Sequence, residues 1–185
     1  MNEYFFMFSF HINKTANAAC KSRFMLHKVF VYGTLKRNEP NHHWLMDKNN
    51  GFSNFVGEGT TAVKYPLIIA TRYNIPFLLY TPGTGHFVKG EVHEVDEKML
   101  GKLDILEDHP KFYIREIDDI KLFNESTKQE EIVKCWVYFL KNFKPHISNL
   151  PTMDSYSSSG AHGKPYLDRS KRDPNYQFEL KDIKS

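Results

Sequence analysis

Between Asp96 and Pro110 the chain leaves the short β-prone runs that fill most of its length and takes up helical spacing. Met99, Leu100, Leu103 and Leu106 fall on one helical face, Asp96 is a good N-cap and Pro110 stops the helix. Around this one firm helix stand β-like runs at 29–32, 52–61, 65–70, 75–80, 87–95, 112–117, 119–123 and 132–140. The balance predicts an α+β fold dominated by a mostly antiparallel, curled sheet with a few flanking helices. Pro66 and Pro76 belong at strand starts, edges or bulges, and Gly57 and Gly59 permit a bulge or a barrel bend. A short helix is expected near residues 41–46, ended by Asn50-Gly51.

A chain of 185 residues with 41% hydrophobic side chains supports one domain with tail to spare. The expected division is an extension at 1–27, poorly ordered, a domain at 28–166 and a polar, charged tail at 167–185. Residues 4–10 are apolar and Ala16-Asn17-Ala18 resembles a cleavage site, but Glu3 stands where a secretory signal needs a basic segment. The net charge of +3 is dispersed, which argues against a nucleic-acid footprint. No stretch is long enough to span a membrane as a helix. Cys20 and Cys135 share no metal or disulfide spacing, which fits a reducing, cytoplasmic setting. A monomer without cofactor or metal is expected. The His42-His43 pair lacks ligand partners at a recognisable spacing and reads as helix surface.

Two features carry chemistry. The run Val29-Phe30-Val31-Tyr32 stops abruptly at Gly33-Thr34-Leu35, and glycine there permits φ > 0, with consecutive N–H groups converging as an anion-binding nest. An ordinary turn satisfies the same residues. The second feature is Glu107, four residues after Leu103 and seven after Leu100, which puts a carboxylate on the apolar face at the helix C-terminus. Two environments are open to it. It can emerge into solvent or pair with a cation such as Arg115; or it can face an apolar cleft, where desolvation and the negative helix end raise its pKa and suit it to proton transfer.

Taken together, these stretches resemble the γ-glutamylamine cyclotransferase family, a branch of the γ-glutamyl cyclotransferase-like superfamily. The matching segments are Val29-Phe30-Val31-Tyr32-Gly33-Thr34-Leu35-Lys36-Arg37 with Pro40-Asn41, Tyr65-Pro66-Leu67-Ile68-Ile69-Ala70, and Asn74-Ile75-Pro76-Phe77-Leu78-Leu79. They continue through Pro82-Gly83-Thr84-Gly85, Gly90-Glu91-Val92, Val95-Asp96-Glu97-Lys98-Met99-Leu100, Glu107, Tyr113, Asp154-Ser155-Tyr156 and His162-Gly163. The resemblance implies a small β-barrel, release of 5-oxoproline from γ-glutamylamines such as γ-glutamyl-ε-lysine, and no cofactor. It also implies that Tyr32, Gly33, Thr34 and Leu35 hold the γ-glutamyl group, that Glu107 is the acid/base, and that Tyr113 and Tyr156 supply pocket hydroxyls. Asn38 stands where the family carries glycine; asparagine tolerates left-handed backbone, so the turn can persist. Two other readings remain: a cyclotransferase for γ-glutamyl amino acids, and a non-catalytic binding module on the same fold.

Overall fold

The computed structural model describes residues 25–124, 127–172 and 183–184. Most of the segment expected as an N-terminal extension, with Cys20 in it, lies outside the described residues. The first strand, β1 (His27–Val31), is apolar on both faces because both are covered. Phe30 packs with one buried cluster, while Val29 and Val31 pack with another. A short helix α1 (His43–Met46) follows, then β2 (Ser53–Tyr65), β3 (Leu67–Ala70), β4 (Ile75–Leu78) and β5 (His86–Val95). Helix α2 (Glu97–Leu106) leads to a long hairpin of β6 (Tyr113–Asn124) and β7 (Gln129–Leu140), and β8 (Thr152–Met153) closes the series.

Five strands close into a barrel in the order β1-β5-β2-β6-β7. Every pairing is antiparallel except the closing one, β1 with β7, which is parallel at Val29 and Trp136. The expected mixed, mostly antiparallel barrel is therefore the architecture found. A separate three-stranded sheet, β4-β3-β8, lies beside it. Phe30, Val92, Ile120, Leu122, Val137 and Phe139 fill the barrel from its own strands. Met99, Leu100, Leu103 and Leu106 of α2 pack on the outside with Val29, Val95, Ile68 and Phe77. The bulge or bend that the glycines of β2 were expected to permit is found as a register shift at Phe55/Gly57, and a second shift lies at Thr60/Lys64.

Two expectations change. The runs 112–117 and 119–123 are a single strand, because Ile117, Asp118 and Asp119 stay in register with Trp136, Cys135 and Lys134 of β7 although Ile117 is exposed. The expected polar tail begins as part of the packed body, with Leu167 N–H donating to Tyr73 O and Ile183 buried against the outer cluster. Helix α2 starts as anticipated, with Asp96 accepting from Met99 N–H at 2.8 Å. Gly51 lies against that cap at φ +132, where a Cβ would stand 2.4 Å from the Asp96 carboxylate.

Space decides opposite outcomes at two glycines. A Cβ on Gly90 would lie 2.5 Å from Phe30 Cζ and from the Val31 carbonyl. Gly90→Ala is expected to destabilise by about 1–3 kcal/mol through overpacking. Gly101, exposed in α2 with nothing within 4 Å of an added Cβ, is expected to gain about 0.5–1 kcal/mol as alanine. Urea midpoints of the two variants check both signs.

Candidate active site

The turn after β1 is held from three sides. Lys36 N–H donates to Gly33 O at 3.2 Å, closing a tight turn, and Asn41 N–H donates to Thr34 O at 2.9 Å. His42 Nδ1 meets Leu35 O at 3.0 Å. Lys36 Nζ reaches the Tyr156 carbonyl at 2.6 Å, and Glu39 accepts from Ser158 N–H. Among the described residues no acceptor takes the N–H groups of Gly33, Thr34 or Leu35. Gly33 does not use the positive φ expected of it; that geometry falls at Asn38, φ 64, where asparagine supplies it. Glycine is required at 33 for space, since a Cβ would stand 2.9 Å from Pro76 Cγ.

Beneath the turn, Glu91 is buried and takes both the backbone N–H of Arg37, at 3.0 Å, and its Nε–H, at 3.1 Å. Buried His93 approaches the same carboxylate at 3.3 Å, and the Arg37 guanidinium lies 3.7 Å over the Phe55 ring. Burial by itself raises the Glu91 carboxyl, but the bonds from His93 and Arg37 outweigh it and hold the group down at about 2.

Glu107 is the residue that caps the C-terminus of α2, with Asp108 after it in left-handed backbone at φ 49. The helix end is fixed to the barrel through Asp104, which accepts the Tyr138 hydroxyl at 2.7 Å and pairs with Arg115 at 3.3 Å. Arg115, considered above as a partner for Glu107, is thus engaged by Asp104 and stacked 4.5 Å over Trp136. Tyr32 donates its hydroxyl to Tyr138 O at 2.8 Å. Burial first, and then the charge of Glu107, hold the Tyr32 hydroxyl well above its ordinary value, so it remains a donor. Burial, the bond to Asp104 and the Glu107 charge act the same way on Tyr138.

A cavity of about 400 Å³ opens where these parts meet. Tyr32, Thr34, Leu35, Glu107 and Tyr113 line it, whereas Gly33, expected with them, is not among the lining residues. Tyr113 is oriented by donating to Pro76 O at 3.2 Å and by stacking on Phe77 at 5.8 Å. Tyr156 is absent from the wall. It is buried beneath the turn, stacked on His162 at 6.0 Å, and its carbonyl rather than its hydroxyl serves the site by holding Lys36. The expectation of a pocket hydroxyl from Tyr156 does not match that position.

Several wall residues escaped the sequence reading. Asn41, buried, donates to the Thr34 hydroxyl at 2.8 Å and to the Tyr166 hydroxyl at 3.2 Å. Thr34 thereby accepts from Asn41 and keeps its own proton for a ligand. Arg172 also lines the cavity. Asn41 was visible only as part of the matched Pro40-Asn41 pair, and Arg172 gave no signal within a charged segment. The His42-His43 pair binds backbone carbonyls, and among the described residues no group of three or more His, Cys, Asp or Glu side chains is arranged to hold a metal.

In this closed barrel the residue that ends α2 and the turn after β1 line one cavity. The chain belongs to the gamma-glutamyl cyclotransferase, AIG2-like family, whose pattern matches residues 29–158. The gamma-glutamylaminecyclotransferase of Homo sapiens is 44% identical over 150 residues, spanning 78% of this chain and 98% of its own length. Gamma-glutamylaminecyclotransferase C of Danio rerio is 43% identical over 146 residues, 79% of this chain and 96% of that one. A crystal structure of an AIG2-like protein from Mus musculus superposes with a TM-score of 0.74 at 43% identity, covering 80% of this chain and 99% of that chain.

The Glu91 clamp has a defined pH window. Its folded value of about 2 lies below the ordinary 4.5, so its contribution is complete above the ordinary value and is lost as pH falls through about 2. The difference in unfolding free energy between the wild type and Glu91→Gln is therefore expected to be greatest near neutral pH. It should shrink, by on the order of 3 kcal/mol, as pH falls towards 2. Urea titrations across that range measure it, and a difference independent of pH contradicts the clamp.

Proposed function

We propose that this protein is a γ-glutamylamine cyclotransferase, releasing 5-oxoproline and a free amine from substrates such as γ-glutamyl-ε-lysine. The α-amino nitrogen of the γ-glutamyl group attacks its own γ-carbonyl carbon, closing a five-membered lactam, and the bond from that carbon to the amine nitrogen breaks. Glu107 takes the proton released by the attacking nitrogen and delivers one to the departing amine, so a single carboxylate serves both halves of the reaction. A proton shuttle of this kind contributes about 10²–10⁴-fold. The observation that carries the reading is that Glu107 lines one cavity with Tyr32, Thr34 and Leu35 of the turn, whose amides take no acceptor among the described residues.

The scaffold suits an intramolecular reaction. No protein nucleophile is required, because both reacting atoms belong to the substrate. Holding the chain folded back at near-attack distance contributes up to about 7–11 kcal/mol in ideal cases. The amides of Gly33, Thr34 and Leu35 are suited to the α-carboxylate or to the oxyanion at the γ-carbon, and the Thr34 hydroxyl adds a donor. Tyr32 and Tyr113, each held to a backbone carbonyl, shape the walls. Tyr156 in this account supports the turn from below. The reading extends to a monomer acting in the cytoplasm, and the buried Cys135 thiol, pushed up to about 12 by burial, takes no part in the chemistry. Among the described residues no helix is long and apolar enough to cross a membrane.

Glu107→Gln is expected to fold with native near-ultraviolet dichroism while 5-oxoproline release from γ-glutamyl-ε-lysine falls by about 10²–10⁴-fold. Near-full turnover by that variant contradicts the assignment.

A further inference from the structure

Beyond the turn and Glu107, the cavity wall contains one cation among the described residues, Arg172. It reaches the site from outside the family's matched span, which ends at residue 158. The arginine is built into place rather than left at the surface. Its Nε–H donates to Leu167 O at 3.1 Å, one terminal N–H donates to the Tyr166 hydroxyl at 3.0 Å, and its plane lies 4.7 Å over Tyr73 and 5.3 Å over Tyr166. Leu167 N–H in turn donates to Tyr73 O, so the segment bearing Arg172 is anchored to the loop before β4. These bonds use two of five guanidinium N–H groups and leave a planar donor edge. The Asp168 carboxylate accepts the backbone N–H and the hydroxyl of Ser170 on one oxygen, Oδ1, and the Arg172 charge acts on it more weakly than these bonds do.

The position along the cavity separates Arg172 from the reacting group. A chain of hydrogen bonds runs from Thr34 through Asn41 and Tyr166 to Arg172, so three contacts lie between the turn and the guanidinium. A γ-glutamyl group held between the turn and Glu107 is compact, since it must fold into a five-membered ring. What extends towards Arg172 is the departing amine. Asp108, exposed, also lines the cavity, so the lining offers an anion as well as this cation, and the two kinds of charge complement a zwitterionic amino-acid head better than a plain alkyl chain.

Resting on the cyclotransferase reading above, we propose that Arg172 is a specificity-determining residue that binds a carboxylate on the departing amine, so that the protein selects γ-glutamylamines whose leaving group is itself an amino acid joined through its side-chain nitrogen. A charge-assisted, two-point contact of this type discriminates by about 10- to 100-fold. It acts in binding, on KM, and leaves the bond-forming step to Glu107 and the turn.

The test compares γ-glutamyl-ε-lysine with γ-glutamylcadaverine, which differs from it by loss of the lysine carboxylate alone, using the full chain and 5-oxoproline release as the readout. Wild-type kcat/KM is expected to favour the carboxylated substrate by about 10- to 100-fold. Arg172→Met is expected to raise KM for that substrate and remove the preference, so that kcat/KM for the two substrates converges, with native near-ultraviolet dichroism as the check on folding. Arg172→Lys, which keeps the charge but loses the planar fork, is expected to restore part of the preference. Equal loss on both substrates in Arg172→Met, or no preference in the wild type, overturns the proposal. Absence of 5-oxoproline from both substrates with the wild type removes the cyclotransferase reading itself.

Discussion

The parallel closure of β1 onto β7 is the constraint from which the site follows. Every other barrel neighbour is antiparallel. Because these two strands run in the same direction, their C-terminal ends emerge on the same rim. The turn that follows β1 therefore stands beside the last residues of β7, and the bond from the Tyr32 hydroxyl to Tyr138 O ties the two ends together. An antiparallel closure would send the turn and the end of β7 to opposite rims, and the cavity would lose a wall.

Onto that rim two carboxylates, Glu91 buried and Asp104 half-buried, fasten the turn and the helix end. Asp104, on α2, grips β7 through Tyr138 and β6 through Arg115, which fixes where the helix ends and so where Glu107 stands. Glu91, on β5, grips the segment after the turn through both the backbone and the side chain of Arg37. Neither carboxylate lines the cavity. Their work is positional: a buried acid satisfied by several donors is costly to disturb, and it therefore specifies one geometry. Asn41 extends the same logic to the wall by orienting the Thr34 hydroxyl and Tyr166 at once.

Legibility in the sequence followed the range of the interactions involved. Helix α2 was readable because its signals are local: the Asp96 cap, the apolar spacing and Pro110. The same spacing pointed to Glu107 facing inward, and Asn38 was read as a left-handed position for a reason the backbone bears out. The mixed barrel was legible as a class, whereas its closing partner was not, since β1 and β7 meet across about a hundred residues. The long β6 was read as two runs because Asp118 and Asp119 interrupt the apolar pattern while the ladder to β7 carries on regardless. Gly33 was expected to need a positive φ, whereas what leaves no room for a Cβ there is Pro76, which is remote in sequence. Arg172 was lost in a charged segment for the same cause: only the fold brings it to Tyr73 and Tyr166. Tyr156, adjacent in sequence to a loop that does support the turn, proved to lie behind the wall rather than on it.

The central claim is that the open amides of Gly33, Thr34 and Leu35 and the carboxylate of Glu107 grip one γ-glutamyl group between them. The most direct measurement is an amide NMR titration of the wild-type protein with the ring-closed product, 5-oxoproline. The account predicts saturable shifts concentrated at the amides of Gly33, Thr34 and Leu35 and at the end of α2 around Glu107, with the barrel strands β2 and β6 unmoved. Saturable shifts that leave the turn and Glu107 untouched and fall elsewhere on the barrel would contradict it.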